Sequence, residues 1–285
     1  MDYDYSVAVT QAERHFSKAR TQAFWSNLID KVFGRSTDLL DFNEVKHKLR
    51  LNDEHYLGRQ DVPLDNIVGS VGRYRDFTRK FLPKRSVNRD RWKAVDMMTL
   101  QKGYPPIELY KVGDAYFVID GNHRVSVARA NNMKTIEAFV TELRTPVPFD
   151  KDTRAEDLLI KEGYAHFLRQ TRLLRHFPDA QVILTEPTNY REILHHIQVH
   201  HYYLGINCDC PVEWDEAVMS WYETVYLPMV RAIREYGILA EFPNRTEADL
   251  YVWLLRHQAL IQEVYGGAPP SPQDTVGDFI DKLHS

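Results

Sequence analysis

A chain of 285 residues and 33.4 kDa has room for two domains with separate cores. Its composition, 44% hydrophobic, 12% aromatic and 27% charged, excludes a disordered tail protein. The net charge of -4 is unevenly spread, with 24 Lys and Arg against 19 Asp and Glu up to residue 145 and 12 against 21 beyond it. No stretch reaches the ~18 uncharged apolar residues of a membrane helix, so no membrane is expected among the partners. Met1 is followed by acidic and polar residues, which predicts no secretory leader. Cys208 and Cys210 alone cannot supply a disulfide framework, and the expected location is cytoplasmic.

From Thr10 to Phe33 the spacing of Phe16, Ala19, Ala23, Phe24 and Leu28 predicts a helix that Gly34 stops. Residues 35–60 are polar and mixed, and read as a short helix and a connector. Val62 to Val68 is a strand candidate, and Gly69-Ser70-Val71-Gly72-Arg73 opens a loop. This loop lacks the Lys-Ser/Thr ending of a P-loop. It leads into a basic run: Arg73, Arg75, Arg79, Lys80, Lys84, Arg85, Arg89, Arg91 and Lys93 face only Asp76 and Asp90. Such a run suits phosphate, on a nucleotide or a nucleic acid.

Arg89 to Lys102 reads as a helix with Trp92, Val95, Met98 and Leu100 inward, ended by Gly103. Pro105-Pro106 forces extended backbone, Ile107 to Val112 is a strand, and Gly113-Asp114 turns it into Ala115 to Ile119. Asp120-Gly121-Asn122 then leads into a helix from His123 to Asn131, followed by a strand from Ile136 to Leu143. Past Pro146 and Pro148 the pattern is mostly helical. Thr153 with Glu156 and Thr246 with Asp249 resemble capping-box starts. The last helix places Leu250, Trp253, Leu254, His257, Leu260, Ile261 and Val264 on one face, and Pro269, Pro270 and Pro272 loosen the tail. The fold class is α+β: an N-terminal helical segment (1–60), a small α/β domain (61–147) and a mostly helical C-terminal domain (148–285).

The strongest local signal is Phe117-Val118-Ile119-Asp120-Gly121-Asn122-His123-Arg124. A buried strand delivers the chain to a glycine turn and a helix begins at once, so first-turn N–H groups, His123 and Arg124 would converge on an anion. Asp120 at the strand end could hold Mg²⁺ or accept a proton. The alternative is structural: Asp-Gly is a common turn pair, Asn122 can cap the helix, and Arg124 can pair with a surface acid. A second cluster, His195, His196, His200 and His201 near Cys208 and Cys210, has i,i+4 imidazoles that could share a metal. It could equally pack and hydrogen-bond. Trp214, Trp221 and Trp253 with Tyr222, Tyr226 and Tyr251 read as helical core, and Asn244 to Asp249 as a capped helix start.

The stretch from Val62 to Leu143 resembles the ParB/sulfiredoxin-like superfamily. The resemblance rests on Val62-Pro63-Leu64-Asp65-Asn66-Ile67, the basic loop, Pro105-Pro106-Ile107-Glu108-Leu109 and Gly121-Asn122-His123-Arg124. It implies that Gly121, Asn122, His123 and Arg124 bind nucleotide phosphates, with Arg73 and Arg79 reaching them from the loop above. It also implies one of three chemistries: CTP binding and hydrolysis, ADP-dependent serine phosphorylation, or ATP-dependent sulfinate repair. Asn122 stands where sulfiredoxins carry the attacking cysteine, which excludes sulfinate repair. Asn122 and His123 also replace the Glu and Arg of the partition proteins' Gly-Glu-Arg-Arg, which argues against CTP hydrolysis. Asp-Gly-x-His-Arg looks closer to the free-serine kinase branch, with Asp120 and Glu108 as candidate catalytic acids. Trp214 to Gly266 is similar to a bacterial domain of unknown function, which implies no chemistry.

The leading expectation is therefore a nucleotide-binding protein, with phosphoryl transfer or hydrolysis as its reaction. Its cofactors would be a nucleotide (ATP, ADP or CTP) and Mg²⁺, the latter at Asp120, and its acceptor a small molecule or protein. The second expectation is a non-catalytic regulatory module whose basic loop binds DNA or a protein partner. The acidic C-terminal part disfavours DNA, and a homodimer is compatible with either.

Overall fold

The computed structural model describes residues 9–23, 38–84 and 87–284. The chain divides into two compact units, Met1–Leu158 and Leu159–Ser285. In the first, the elements run α1 (9–23), β1 (Leu40–Asp41), α2 (Phe42–Leu49), β2 (Glu54–Pro63), β3 (Ile67–Ser70) and α3 (Arg89–Lys102). They continue with β4 (Ile107–Val112), β5 (Ala115–Asp120), α4 (Asn122–Ala130) and β6 (Thr135–Leu143). The six strands make one mixed sheet in the order β1-β3-β5-β4-β6-β2. Its centre is the β4–β5 hairpin, antiparallel within itself, with β3 parallel to β5 and β6 parallel to β4. The hairpin is central because it is the most apolar stretch: Ile107, Leu109, Val112, Phe117 and Val118 are all fully buried. Trp92 of α3 and Val125, Val127 and Ala128 of α4 are buried with Ile107, Leu109 and Val118 in a single core.

Several features of this unit depart from the sequence reading. Residues 54–63 form a strand rather than a connector, paired antiparallel with β6 from Glu54 to Pro63. Its polar residues suit a sheet edge, and only Val62 in it is buried. Gly69 and Ser70 belong to β3, not to the loop, and are buried. A Cβ on Gly69 would run into the Phe117 ring and the Leu40 carbonyl, so the close approach of β1, β3 and β5 requires glycine. Met98 is exposed, while α3 turns Trp92, Asp96 and Thr99 inward. The Asp96 carboxylate accepts from Asn131 Nδ2 at 3.1 Å and meets His15 Nδ1 at 3.1 Å, which satisfies it inside the fold. Finally, Thr153 caps no helix: it bonds back to Asp150, and the next helix starts at Leu158. Phe16, Ala19 and Ala23 are buried as expected, whereas Phe24, Leu28, Phe33, Gly34 and Arg85 lie outside the described residues.

The second unit is helical: α5 (Leu158–Thr171), α6 (Leu173–His176), α7 (Asn189–Cys208), α8 (Trp214–Trp221), α9 (Leu227–Tyr236), α10 (Glu247–Tyr265) and α11 (Pro272–Leu283). A π-helical turn, Tyr222–Tyr226, joins α8 to α9. Of the aromatic set expected as its core, Trp221, Tyr222, Tyr226 and Tyr251 are buried, whereas Trp214 and Trp253 are only half-buried. Thr246 and Asp249 form a reciprocal capping box at α10. Leu260 and Val264, in the last turns of α10, are exposed instead of inward. The proline-rich tail is ordered as α11, because Ser271 caps it and Pro272 takes the first helical position, where no N–H is needed.

Candidate anion site at the start of α4

The site is built where β5 ends. Gly121 adopts φ +108°, a left-handed conformation that suits glycine, and any Cβ there would strike the Ile107 side chain. This turn starts α4 directly at Asn122, with no side-chain cap on the first-turn N–H groups. The loop after β3 is pinned above it: Val71 N–H donates to Val118 O at 3.0 Å, and Arg73 N–H donates to Ser70 Oγ at 3.4 Å. Phe77 and Phe81 anchor the rest of the basic loop in the core, so it is not a free surface loop. Trp92 of α3 donates to Ser126 of α4 at 2.9 Å, which fixes Arg91, one residue earlier, beside His123.

These elements enclose a cavity of about 150 Å³ lined by Arg73, Arg91, Val95, Asp120, Gly121, Asn122, His123 and Arg124. His123 is only 6% exposed and Asn122 only 7%. Both His123 ring nitrogens and Asn122 Oδ1 are buried without a hydrogen-bond partner. Leaving such groups unpaired costs roughly 1–3 kcal/mol each, so a native fold that keeps them marks a place where a partner is expected. The His123 ring lies edge-on to Phe77 at 5.6 Å. Burial first, then Arg91 and Arg73, pulls its pKa from the ordinary 6.5 down to about 4, against a smaller opposing effect of Asp76. At neutral pH the imidazole is therefore uncharged, with one N–H to donate and one nitrogen to accept.

The arginines differ in how far they are committed. Arg124 donates to Pro105 O at 3.1 Å, Pro106 O at 2.6 Å and Asp120 Oδ2 at 2.5 Å, so it locks the start of β4 to the turn while still lining the cavity. Arg73 pairs with Asp76 at 3.2 Å and stays half exposed. Arg91 is exposed on the first turn of α3.

Of the residues singled out in the sequence, Arg73, Asp120, Gly121, Asn122, His123 and Arg124 thus meet in one cavity. Glu108 does not line it; it sits exposed on β4, directly opposite Asp120 in the β4–β5 ladder. Arg79 is elsewhere. It donates to Lys151 O at 2.7 Å and Thr153 O at 2.5 Å and lines a separate cavity with Asp38, Asp152 and Arg154. Sequence reasoning passed over Arg91, which stood undistinguished in the basic run; only the phase of α3 turns it to the cavity.

Three of the four histidines of the α7 cluster are engaged within the unit, and His195 is exposed. His196 Nδ1 meets Tyr251 Oη at 2.7 Å, His200 Nε2 meets Ser220 Oγ at 2.9 Å, and His201 Nε2 donates to Val212 O at 2.7 Å. Cys208 and Cys210 are joined in a disulfide. Among the described residues no group of three or more His, Cys, Asp or Glu is placed to hold a metal ion. Arg245, in the polar stretch before α10, donates to Thr185 Oγ1 and Glu186 Oε1, which leaves that stretch as the expected capped helix start.

No family model matches the chain, and no curated protein does. Solved structures similar to it include sulfiredoxin from Arabidopsis thaliana, at 21% identity over 30% of this chain and 86% of that one, with a TM-score of 0.25. Another is the C-terminally truncated chromosome-partitioning protein ParB from Caulobacter crescentus, complexed with CTP-gamma-S. That match has 16% identity over 43% of this chain and 66% of that one, with a TM-score of 0.23. No described helix is long and apolar enough to cross a membrane.

Proposed function

We propose that the cavity at the start of α4 binds the phosphate groups of a nucleotide. The observation that carries this is the set of buried, unpartnered atoms, both His123 ring nitrogens and Asn122 Oδ1, at a helix N-terminus among Arg73, Arg91 and Arg124. Helix N–H groups, a neutral imidazole donor and guanidinium groups together suit a multiply charged oxyanion. About 150 Å³ is small beside the ~300 Å³ or more of a site for a whole drug-sized ligand, so the nucleoside would lie outside the cavity. Mg²⁺ would be held through Asp120, whose side chain is 70% exposed at the cavity edge, with phosphate oxygens and water as its other ligands. There it would neutralise phosphate charge. Transfer or hydrolysis would then fall to the carboxylates, Asp120 first and Glu108 across the ladder from it.

A thermal-shift panel of ATP, ADP, CTP and GTP, with and without Mg²⁺, tests the reading. A ligand at a hundredfold excess over its Kd, bound only to the folded state, adds about 2.7 kcal/mol of stability. His123→Ala and Arg91→Ala should reduce that shift. Absence of any shift across the panel with wild type overturns the proposal.

A further inference from the structure

The corner between α7 and α8 carries chemistry that the phosphate cavity does not use. Cys208 closes α7, Cys210 lies two residues on, and their sulfurs are bonded across the single residue Asp209. Asn207, Cys208, Asp209 and Cys210 are all exposed. The corner has other supports. Asp209 takes a left-handed φ of +49°, and the Asp209 and Cys210 N–H groups each donate back into α7 at 3.3 Å, to Ile206 O and Gly205 O. His201 donates to Val212 O at 2.7 Å and lies edge-on to Trp214 at 5.7 Å. The disulfide therefore adds to a corner that hydrogen bonds already shape. It closes a ring of three residues, the kind of cross-link that removes least entropy from the unfolded chain. It also covers no core, since the residues on both sides of it face solvent. A bond that contributes little to the fold and stands open to thiol attack has the character of a labile, regulatory disulfide.

We propose that Cys208 and Cys210 form a reversible redox switch on the second unit, opened and closed by exchange with a low-molecular-weight thiol. In the opening direction an external thiolate attacks one cysteine sulfur, the S–S bond breaks, and the other cysteine leaves as a thiolate. A second external thiolate attacks the outer sulfur of the mixed disulfide and releases the first cysteine. The pair gains two electrons and, at neutral pH, protons from water; two external thiols become one disulfide. What changes is local. The open form frees Asp209 from its bridged left-handed turn and loosens the cap beside Tyr202, Tyr203 and Ile206, which are already exposed. The helical core, with Trp221 and Tyr251, stays as it is.

The test uses the full chain in buffers graded from oxidised to reduced glutathione, quenched in acid and alkylated with N-ethylmaleimide, with the alkylated cysteines counted by mass. The expected result is no label at the oxidised end, two labels at the reduced end, and the same curve from either direction. Amide exchange over residues 205–213 should quicken on reduction while the melting temperature barely moves. Cys208→Ser should exchange like the reduced protein; the two redox states of wild type carry the test even where that variant fails to fold. A bridge that survives a large excess of reduced glutathione overturns the proposal, and so do cysteines that stay unbridged in oxidised glutathione. Exchange over 205–213 that is equal in both states overturns it as well.

Discussion

His123 shows how one side chain carries both a cost and a use. Its imidazole stays neutral in the fold until about pH 4, whereas in the unfolded chain it takes a proton near the ordinary 6.5. Between those values the unfolded state binds more protons, so stability is complete above pH 6.5 and is lost as pH falls toward 4. The loss approaches about 3 kcal/mol as the pH falls from 6.5 to about 4. His196, also drawn down to about 4 by burial and its histidine neighbours, adds a similar acid sensitivity in the second unit. Melting curves of the free protein should therefore fall between pH 6.5 and 4, and His123→Gln should flatten part of that fall. A bound oxyanion reverses the sign at His123, because negative charge favours the imidazolium. Saturating sulfate, which does not titrate in this range, should stabilise wild type more at pH 5 than at pH 7. Arg79 behaves differently. Its guanidinium serves two carbonyls of the 151–153 turn, so Arg79→Ala should cost about 1–3 kcal/mol in a denaturant titration and leave nucleotide affinity unchanged. The resemblance placed Arg79 with Arg73 over the phosphates; the path of the folded loop separates them.

At the scale of elements, the β5–turn–α4 unit was legible because local chemistry and tertiary demand agree. An apolar run ends in Asp-Gly-Asn, and the fold needs a left-handed residue there that cannot carry a side chain. Gly121→Ala should accordingly lose both properties at once. Strain at a positive φ costs an alanine on the order of 1 kcal/mol, the contact with Ile107 adds to it, and the displaced turn should no longer shift its melting temperature with nucleotide. A melting curve with and without ligand reads both effects, and a Gly121→Ala variant that still responds to nucleotide would remove the turn from the site. Elements were missed where the deciding term lies outside the segment. The strand β2 is mostly polar because it lies at a sheet edge, so its alternation is faint in composition. The helix α11 was hidden by its prolines, yet Pro272 at the first helical position after Ser271 favours a helix rather than opposing it.

For the whole molecule, the split between a basic N-terminal part and an acidic remainder left two partners open, nucleotide and DNA. The structure shows what most of the basic run does. Arg73 pairs with Asp76, Lys84 with Asp38, and Arg89 and Lys93 with Glu13, while Arg79 is tied to backbone carbonyls. The four charges paired with carboxylates are partly neutralised within the first unit and release few counterions when a duplex approaches. Affinity for DNA that depends on phosphate contacts falls with salt in proportion to the number of phosphates neutralised, by about 10³–10⁵ between about 50 and 200 mM salt for six to ten contacts. Here the expected slope is shallow and the binding weak, as measured by fluorescence anisotropy of a labelled duplex across that range. Nucleotide binding should survive physiological salt far better, because His123 and Asn122 are buried and the helix N-terminus is shielded. Tight, salt-steep duplex binding that persists in Arg91→Ala and ignores added nucleotide would return the basic run to a DNA-binding role. A weak, shallow response, lost together with nucleotide binding in His123→Ala, would assign duplex and nucleotide to the same cavity.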